Sequence, residues 1–201
     1  MTKEDYNTIV NDYKAALRVV EANLNNLMEF YPMIDAIETR IKTLESIEEK
    51  CQRRGIDPDS IREIREKMRD ISGARVTCQF RDDIPRVVEA IKNMPGIAVD
   101  TEKDYINNPK SNGYSSYHLC TFVQIYIPGK GTKSIPVEIQ VRTMAQNLWA
   151  SAEHIIRYKS VLTTEVPEVS ERFASIAKYL AQIDKELIEL RDYCKNKKPA
   201  N

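Results

Sequence analysis

The residues best suited to chemistry lie on a predicted strand, residues 134–142, in which polar and apolar side chains alternate. Glu138, Gln140 and Arg142 share one face of this strand, because successive side chains of a strand point to opposite sides. A carboxylate, an amide and a guanidinium can together accept a proton, orient a polar group and bind an anion. The same pattern is typical of the solvent-facing side of a half-exposed sheet, so both interpretations stay open.

A second predicted strand, residues 116–127, precedes the first and is joined to it by a short Pro-Gly-Lys-Gly-Thr connection. Such a short glycine-rich connection predicts an antiparallel hairpin. If Ile127 pairs with Lys133, then His118 lies opposite Arg142 and joins the polar face. The hairpin would thereby add an imidazole to the carboxylate, amide and guanidinium.

Asp70 is the second carboxylate that could take part in chemistry. It follows a predicted helix that runs from about residue 57 to 69, and the dipole at a helix C-terminus disfavours an anion. A positive group should therefore lie close, and Arg75 or a metal ion could provide it. Two carboxylates from separate elements, Asp70 and Glu138, are typical of a Mg²⁺ site that also binds phosphates. A simple Asp70–Arg75 ion pair is the alternative.

Cations that could bind a triphosphate are concentrated just before this carboxylate. Arg40 and Lys42 lie on a short predicted strand, and Ser46, Lys50 and Arg53 are spaced by four and three residues along the following helix. Lysine offers a point charge to phosphate, and arginine offers a forked pair of donors. A solvated helix face that pairs with neighbouring glutamates is the alternative.

A loop at residues 107–114 is predicted from its Asn, Pro, Ser and Gly content. It carries Lys110, Asn112 and Tyr114. The loop could close over a ligand, with the lysine on a phosphate and the tyrosine stacked on a base. An ordinary surface turn has the same composition.

Composition excludes several other classes of protein. The 201 residues hold 30 Lys plus Arg and 30 Asp plus Glu, a balance that argues against a general nucleic-acid binder. The two histidines are too few for a histidine-rich metal site, the four cysteines form no CxxC pair, and no Walker or GxGxxG loop occurs. With no long apolar run and no apolar N-terminal segment, we expect a cytoplasmic protein.

The predicted architecture is a single α+β domain over residues 1–201, with one mixed sheet flanked by helices. A long helix at 3–31 precedes a catalytic core at about 34–160, and a last helix covers about 168–195. The last helix has an apolar heptad seam that suits a partner helix, and the seam consists of Val169, Phe173, Ile176, Leu180, Ile183, Leu187, Leu190 and Cys194. Packing against the first helix of the same chain is the alternative.

Five motifs in this order resemble the synthetase domain of the RelA/SpoT family, in the form of a small alarmone synthetase close to the RelQ branch. They are RIKTLESIEEK (40–50), DISGARV (70–76), NGYSSYHL (112–119), VEIQVRT (137–143) and WASAEH (149–154). The resemblance runs from about residue 5 to 195. It implies a nucleotidyltransferase-like fold with a five-stranded sheet. It further implies transfer of the β,γ-pyrophosphate of ATP to the ribose 3′-OH of GDP, GTP or GMP, without hydrolysis of the product.

The resemblance also implies a role for each site residue. Asp70 and Glu138 would bind Mg²⁺, and Glu138, helped by Gln140, would take the proton of the 3′-OH. ATP would be held by Arg40, Lys42, Ser46, Lys50, Arg53 and Arg75. The guanine nucleotide would be held by Lys110, Asn112, Tyr114, His118, Arg142 and Asn147. The family further implies a homo-oligomer, with a tetramer favoured, and no role for a membrane.

Two rival functions stay open. The chain could be a nucleotidyltransferase that passes AMP to another acceptor, or a non-catalytic oligomeric module that binds nucleotide or RNA through its cations. One departure from the family pattern bears on the acceptor. Ser115 follows the loop tyrosine where arginine or glutamine is frequent, which predicts a changed acceptor preference or turnover.

Overall fold

The computed structural model describes residues 1–129, 131–159 and 166–197. Its helices are α1 (Lys3–Phe30), α2 (Leu44–Arg54), α3 (Ile61–Lys67), α4 (Ile84–Lys92), α5 (Met144–Lys159) and α6 (Pro167–Lys197), with a 3₁₀ turn at Arg81–Asp83. Its strands are β1 (Ile34–Ile41), β2 (Ser72–Cys78), β3 (Ile97–Asp104), β4 (Tyr117–Ile127) and β5 (Gly131–Thr143). The predicted α+β class, with a mixed five-stranded sheet between helices, is confirmed.

The strands lie in the order β1-β2-β5-β4-β3, and β2 and β5 form the parallel pair of an otherwise antiparallel sheet. Strand β5 is therefore central, and it places Glu138 between Gly73 of β2 and Cys120 of β4. A side chain at this position is surrounded by groups from three strands. The central placement explains why the polar face of β5 can collect residues that are far apart in sequence.

The β4–β5 hairpin has a different register from the predicted one. Ile127 pairs with Gly131 rather than with Lys133. The turn is tighter because glycine flanks it with φ of 75° at Gly129 and 76° at Gly131, values that other residues rarely adopt. A two-residue shift keeps every side chain on its face, so the predicted polar face is confirmed, although His118 lies opposite Gln140 and not Arg142.

The opposite face of the sheet is apolar and is covered by α1 and α4. Val137, Ile139 and Val141 of β5 are fully buried there. Helix α1 contributes apolar residues at three- and four-residue spacing, which forms one continuous stripe toward the sheet, and these residues are Ile9, Tyr13, Leu17, Val20 and Leu24. Burial of one sheet face leaves the other face free for polar groups.

Helix α3 is shorter than predicted, so Asp70 does not lie directly at its end. The hydroxyl of Ser60 caps α3 by accepting from Glu63 N at 3.3 Å, and the helix ends at Lys67. The predicted helix is therefore present, but its predicted bounds, residues 57 to 69, are too wide at both ends. Asp70 lies in the connection that leads into β2, so the argument from the helix dipole is also wrong.

Helix α6 packs on α5 and on the Arg81–Asp83 turn, whereas α1 packs on the sheet. Phe173 and Asp184 are its buried residues. The rest of the predicted seam is largely exposed in the single chain, with Ile176, Ile183 and Leu187 between 45% and 47% exposed. Within the ranges described above, no helix has both the length and the apolar character needed to cross a bilayer.

Candidate active site

Five side chains on the polar face form a closed hydrogen-bonded ring. Gln140 Nε2 donates to Glu138 Oε2 at 2.6 Å, and His118 Nδ1 lies 3.3 Å from Glu138 Oε1. On its other side, His118 Nε2 lies 2.7 Å from the hydroxyl of Tyr114. Arg142 Nη2 closes the ring by donating to that hydroxyl at 3.2 Å and to Gln140 Oε1. The predicted strand residues thus hold one another in place around Glu138.

The ring fixes Glu138 as a carboxylate. Burial alone would raise its pKa, but the hydrogen bond and charge of His118, together with the amide of Gln140, lower the pKa of Glu138 to about 2. Arg142 is only 2% exposed, and its burial lowers the pKa of the guanidinium to about 10. Nε and Nη1 of Arg142 are buried without a partner among the described residues. They are donors available to an anionic ligand.

A second charged cluster forms around Asp70. Its Oδ2 accepts from Lys50, which is only 8% exposed, and forms an ion pair with Lys42 Nζ at 3.2 Å. Burial favours the neutral acid, but the two ammonium groups outweigh it and lower the pKa of Asp70. Burial also lowers the pKa of Lys50. The predicted alternative of an Asp70–Arg75 ion pair is wrong, because Arg75 Nη1 instead donates to Glu38 Oε2 at 2.8 Å.

The two carboxylates line one small cavity of about 50 Å³. Asp70 Oδ1 is buried without a hydrogen-bond partner among the described residues, so this oxygen can still accept a proton donor or a cation. No group of three or more potential metal ligands occurs in the described parts of the chain. Two carboxylates fit Mg²⁺, which usually takes one or two from the protein and fills its sphere with water and substrate phosphates. The donor set therefore fits the predicted ion.

A larger cavity of about 390 Å³ adjoins the first. The two cavities share Arg40, Arg75 and Gln140, and the larger one continues to Tyr114 and Arg142. The wall opposite the sheet comes from α5. A ligand that spans both cavities would pass from the Asp70 cluster, along a row of arginines, to the tyrosine of the 107–114 loop.

Two predicted phosphate ligands lie at the margin of this groove. The hydroxyl of Ser46, in the first turn of α2, accepts from Thr43 Oγ1 at 3.2 Å. Arg53 is exposed near the end of α2 and lines neither of the two cavities. Of the residues predicted on the α2 face, the structure brings only Lys50 into contact with Asp70.

The 107–114 loop places Tyr114 at the far end of the groove. Asn112 Oδ1 accepts from Tyr114 N at 3.1 Å and so fixes the turn before the tyrosine. Lys110 Nζ lies 5.2 Å and Arg142 Cζ 5.7 Å from the centre of the Tyr114 ring, both over the ring. A planar base that stacks on Tyr114 would compete with these cations for the ring.

Helix α5 supplies residues that the sequence analysis did not single out. Ala150, Ser151 and His154 line the larger cavity, and they follow Asn147 by three, four and seven residues, which places all of them on one helix face. Asn147 is half-buried, and its Oδ1 has no hydrogen-bond partner among the described residues. Helical spacing from Asn147 was the signal that could have found Ser151 and His154.

The site combines ionised carboxylates with many cations, in two adjoining cavities along the sheet. This combination is typical of enzymes that transfer phosphate-containing groups. Residues 39–163 match the family model described as "Region found in RelA / SpoT proteins". The chain therefore belongs to the RelA/SpoT family, as the sequence motifs predict.

Two relatives from Bacillus subtilis match nearly the whole chain. GTP pyrophosphokinase YjbM is 33% identical over 95% of this chain and 90% of its own length. GTP pyrophosphokinase YwaC is 31% identical over 94% of each chain. Among solved structures, small alarmone synthetase 1 of B. subtilis bound to its product pppGpp superposes with a TM-score of 0.85 and 31% identity, covering 96% of this chain and 100% of that one. The fold is thus shared with small alarmone synthetases over almost all of its length.

Proposed function

We propose that the chain is a GTP pyrophosphokinase that transfers the β,γ-pyrophosphate of ATP to the ribose 3′-OH of GDP or GTP, with GMP as a further candidate acceptor. AMP and a (p)ppGpp-type alarmone are its products. Near full-length similarity to two proteins named GTP pyrophosphokinase supports this reaction. The structural observation that carries it is the position of Glu138, an ionised carboxylate in the Asp70 cavity, which adjoins the arginine-lined groove.

The donor side of the site is the cation-rich end of this groove. A triphosphate brings about four negative charges that must be neutralised before an anionic centre can react. Lys42 and Lys50 surround Asp70, while Arg40 and Arg75 line both cavities. We assign ATP to Arg40, Lys42, Ser46, Lys50, Arg53 and Arg75. Ser46 and Arg53, which lie at the margin, would contribute least in this arrangement.

Asp70 and Glu138 would hold Mg²⁺. The buried, unpaired Oδ1 of Asp70 supports this assignment, and Lys42 and Lys50 fix the same carboxylate through its other oxygen. When bound, Mg²⁺ neutralises phosphate charge and makes a neighbouring hydroxyl more acidic. The lysines keep Asp70 ionised, so its carboxylate is available at neutral pH.

Glu138 is the general base in this proposal. Its pKa of about 2 means that the carboxylate is ionised at neutral pH, which is the form that can accept the proton of the 3′-OH. His118 and Gln140 each hold one carboxylate oxygen and so limit its rotation. Anionic phosphates bound nearby would raise the pKa of Glu138 by like-charge repulsion. The carboxylate would become a stronger base when both nucleotides are present.

The acceptor side lies between the 107–114 loop and α5. The two unpaired donors of buried Arg142 support an anionic group there, and Tyr114 offers the aromatic ring near them. We assign guanine to Tyr114 and Asn147. We assign the acceptor's ribose and phosphates to Lys110, Asn112, His118 and Arg142.

Assembly is the last part of this proposal. The exposed apolar side chains of α6 form a strip that water would disfavour on a single chain. A second copy offers the same strip, and two such helices can pack seam to seam. We propose a homo-oligomer that is built through α6, with a tetramer as the expected size.

One incubation tests the proposed reaction. Purified protein, Mg²⁺ and ATP are combined with GMP, GDP or GTP in turn, and the products are resolved by anion-exchange chromatography. We expect AMP and a 3′-pyrophosphorylated guanosine nucleotide in equal amounts. Release of inorganic pyrophosphate would instead indicate transfer of AMP. Nucleotide binding without turnover would indicate a non-catalytic binding module.

A further inference from the structure

The 107–114 loop is tied to the body of the protein at both ends. At its start, the carboxylate of Asp104 accepts from the backbone N–H groups of Ile106 and Asn107, each at 2.9 Å. At its end, Gln146 Nε2 donates to Ser115 Oγ at 3.1 Å. These hydrogen bonds fix the two ends of the loop relative to the sheet. They do not fix the distance between the middle of the loop and the sheet.

The middle of the loop rests on helix α6 through Gly113. This glycine has φ of 93° and donates from its backbone N–H to Lys110 O at 2.8 Å. A Cβ built on Gly113 would lie 2.5 Å from Ala177 Cβ and 3.2 Å from Ala174 Cα. Real Cβ atoms do not come that close, so the loop backbone packs directly on the small residues of α6.

Beside this contact, open space lies between the loop and α6. A cavity of about 280 Å³ extends between the loop, α5 and α6, and both Gly113 and Ala177 lie on its wall. The cavity leaves space beside this contact in which the loop can move relative to the helix. The Gly113–Ala177 contact therefore sets how closely the loop approaches α6.

This distance is transmitted to Tyr114, the next residue in the chain. The hydroxyl of Tyr114 bonds to His118 and Arg142, and its ring centre lies 6.1 Å from that of Trp149. A loop that is pushed away from α6 would carry the Tyr114 ring with it, whereas His118 and Gln140 would still hold Glu138. A base that stacks on the displaced Tyr114 would bind more weakly, while the position of the proposed general base would not change.

We infer that Ala177 of α6 is a positioning residue for the guanine nucleotide, acting through Gly113 on Tyr114. This inference rests on the proposed function, because it takes the 107–114 loop as the acceptor site. Ala177 touches neither the Asp70 cavity nor the arginine-lined groove. A larger side chain at position 177 should therefore weaken binding of the acceptor nucleotide without changing binding of ATP.

The test is the Ala177→Val variant, with Ala181→Val as its control. Ala181 lies one turn further along α6, and the three atoms nearest to a Cβ built on Gly113 belong to Ala177, Ala174 and Phe173 instead. We expect Ala177→Val to raise KM for GDP at least about fivefold, with KM for ATP and kcat at saturating GDP within about twofold of wild type. Ala181→Val should leave all three unchanged. An unchanged KM for GDP, or equal rises in both KM values, would overturn the inference.

Two further measurements keep the test decisive. Ala177→Ser adds one atom instead of two methyl groups, and it should give an intermediate KM for GDP even if the valine variant does not fold. A wild-type KM in the serine variant, combined with an unfolded valine variant, would count against the inference. Because Trp149 is the one tryptophan of the chain, its fluorescence also reports on the loop without any nucleotide.

The fluorescence also separates failure of the inference from failure of the proposed function. If the wild type makes no pyrophosphorylated product, the proposed reaction is wrong. A Trp149 emission shift in Ala177→Val but not in Ala181→Val would still support the loop contact. If both valine variants keep the wild-type spectrum, the contact does not position the loop.

Discussion

His118 and Gln140 each contact one carboxylate oxygen of Glu138, and both could also contact an amide at this position. Glu138→Gln can keep the hydrogen bond from Gln140, so the fold of the site should survive. The amide cannot take a proton from a hydroxyl, and we expect kcat to fall at least about a hundredfold. Calorimetry should show ATP binding that is mostly retained. Glu29→Gln, at an exposed position of α1, is the control, and turnover near the wild-type rate in Glu138→Gln would remove Glu138 as the base.

The same residue makes stability depend on pH. The pKa of Glu138 is about 2 in the folded protein, against 4.5 for an unperturbed glutamate, so the unfolded state binds the proton first as pH falls. The stabilisation is fully present above pH 4.5 and is lost as pH falls toward 2. It should be worth roughly 3 kcal/mol. Urea unfolding at several pH values should show that the difference between wild type and Glu138→Gln shrinks below pH 4.5. A difference that does not change with pH would contradict the low pKa.

Tyr114 combines a ring for stacking with a hydroxyl that joins His118 to Arg142. Loss of the ring in Tyr114→Ala should weaken guanine-nucleotide binding by about 1–3 kcal/mol, the range found for stacking of a base on an aromatic side chain. Tyr114→Phe keeps the ring and should bind within about tenfold of wild type. Calorimetric titration with GDP measures both. Equal losses in the two variants would mean that the hydroxyl, and not stacking, carries the binding.

Among the elements, the strands that carry the site were predictable and their exact pairing was not. Alternation on β5 identified the polar face, because a side-chain period of two survives any even shift in register. The register itself depended on two glycines with positive φ in the turn after Ile127, and composition does not specify which residues of a glycine-rich turn adopt that conformation. The polar face was right for this reason, and the opposing partner of His118 was wrong.

Asp70 lines the same cavity as Glu138, as predicted, but the reason that singled it out was wrong. A helix end was expected beside it, but Ser60 competes with Asp57 as the cap and shortens α3. The compensating charge comes from Lys42 and Lys50, which lie 28 and 20 residues away in sequence. Local sequence does not report such contacts, because they depend on how α2 and β1 meet β2. The roles of the site residues stay predictions, because each role describes a contact with a bound nucleotide or metal ion.

Helix α2 positions Lys50 and depends on its N-cap. Thr43 Oγ1 accepts from Ser46 N at 3.3 Å, and Gly55 ends the helix in a left-handed conformation. Thr43→Ala removes the cap and should lower the free energy of unfolding by about 1 kcal/mol. Thr43→Ser keeps a hydroxyl at the same place and should stay within a few tenths of wild type. Urea unfolding compares them, and equal stability of the alanine and serine variants would show that the cap does not hold α2.

At the scale of the whole molecule, helix α6 has two faces with different tasks. One face carries Phe173 and Asp184 into the protein, and Ala177 meets the 107–114 loop. The second, which flanks the first along the same predicted seam, presents Ile183 and Leu187, which are 47% and 46% exposed in the single chain. Since one rigid helix connects the two, assembly through the second face would restrain the first. Assembly should therefore restrain the proposed guanine-nucleotide site as well as bury apolar surface.

The assembly prediction follows from the exposed face of α6. In Ile183→Glu/Leu187→Glu, charges replace the apolar side chains, and burying them between two helices would cost several kcal/mol. Light scattering after gel filtration should give an oligomer for wild type and a monomer for this variant. Gln182→Glu, an exposed change on the same helix, should keep the oligomer. If α6 joins the copies, the monomer should also bind GDP more weakly, because its loop then rests on an unrestrained helix. A monomeric wild type, or an unchanged oligomer in the double variant, would place the interface elsewhere.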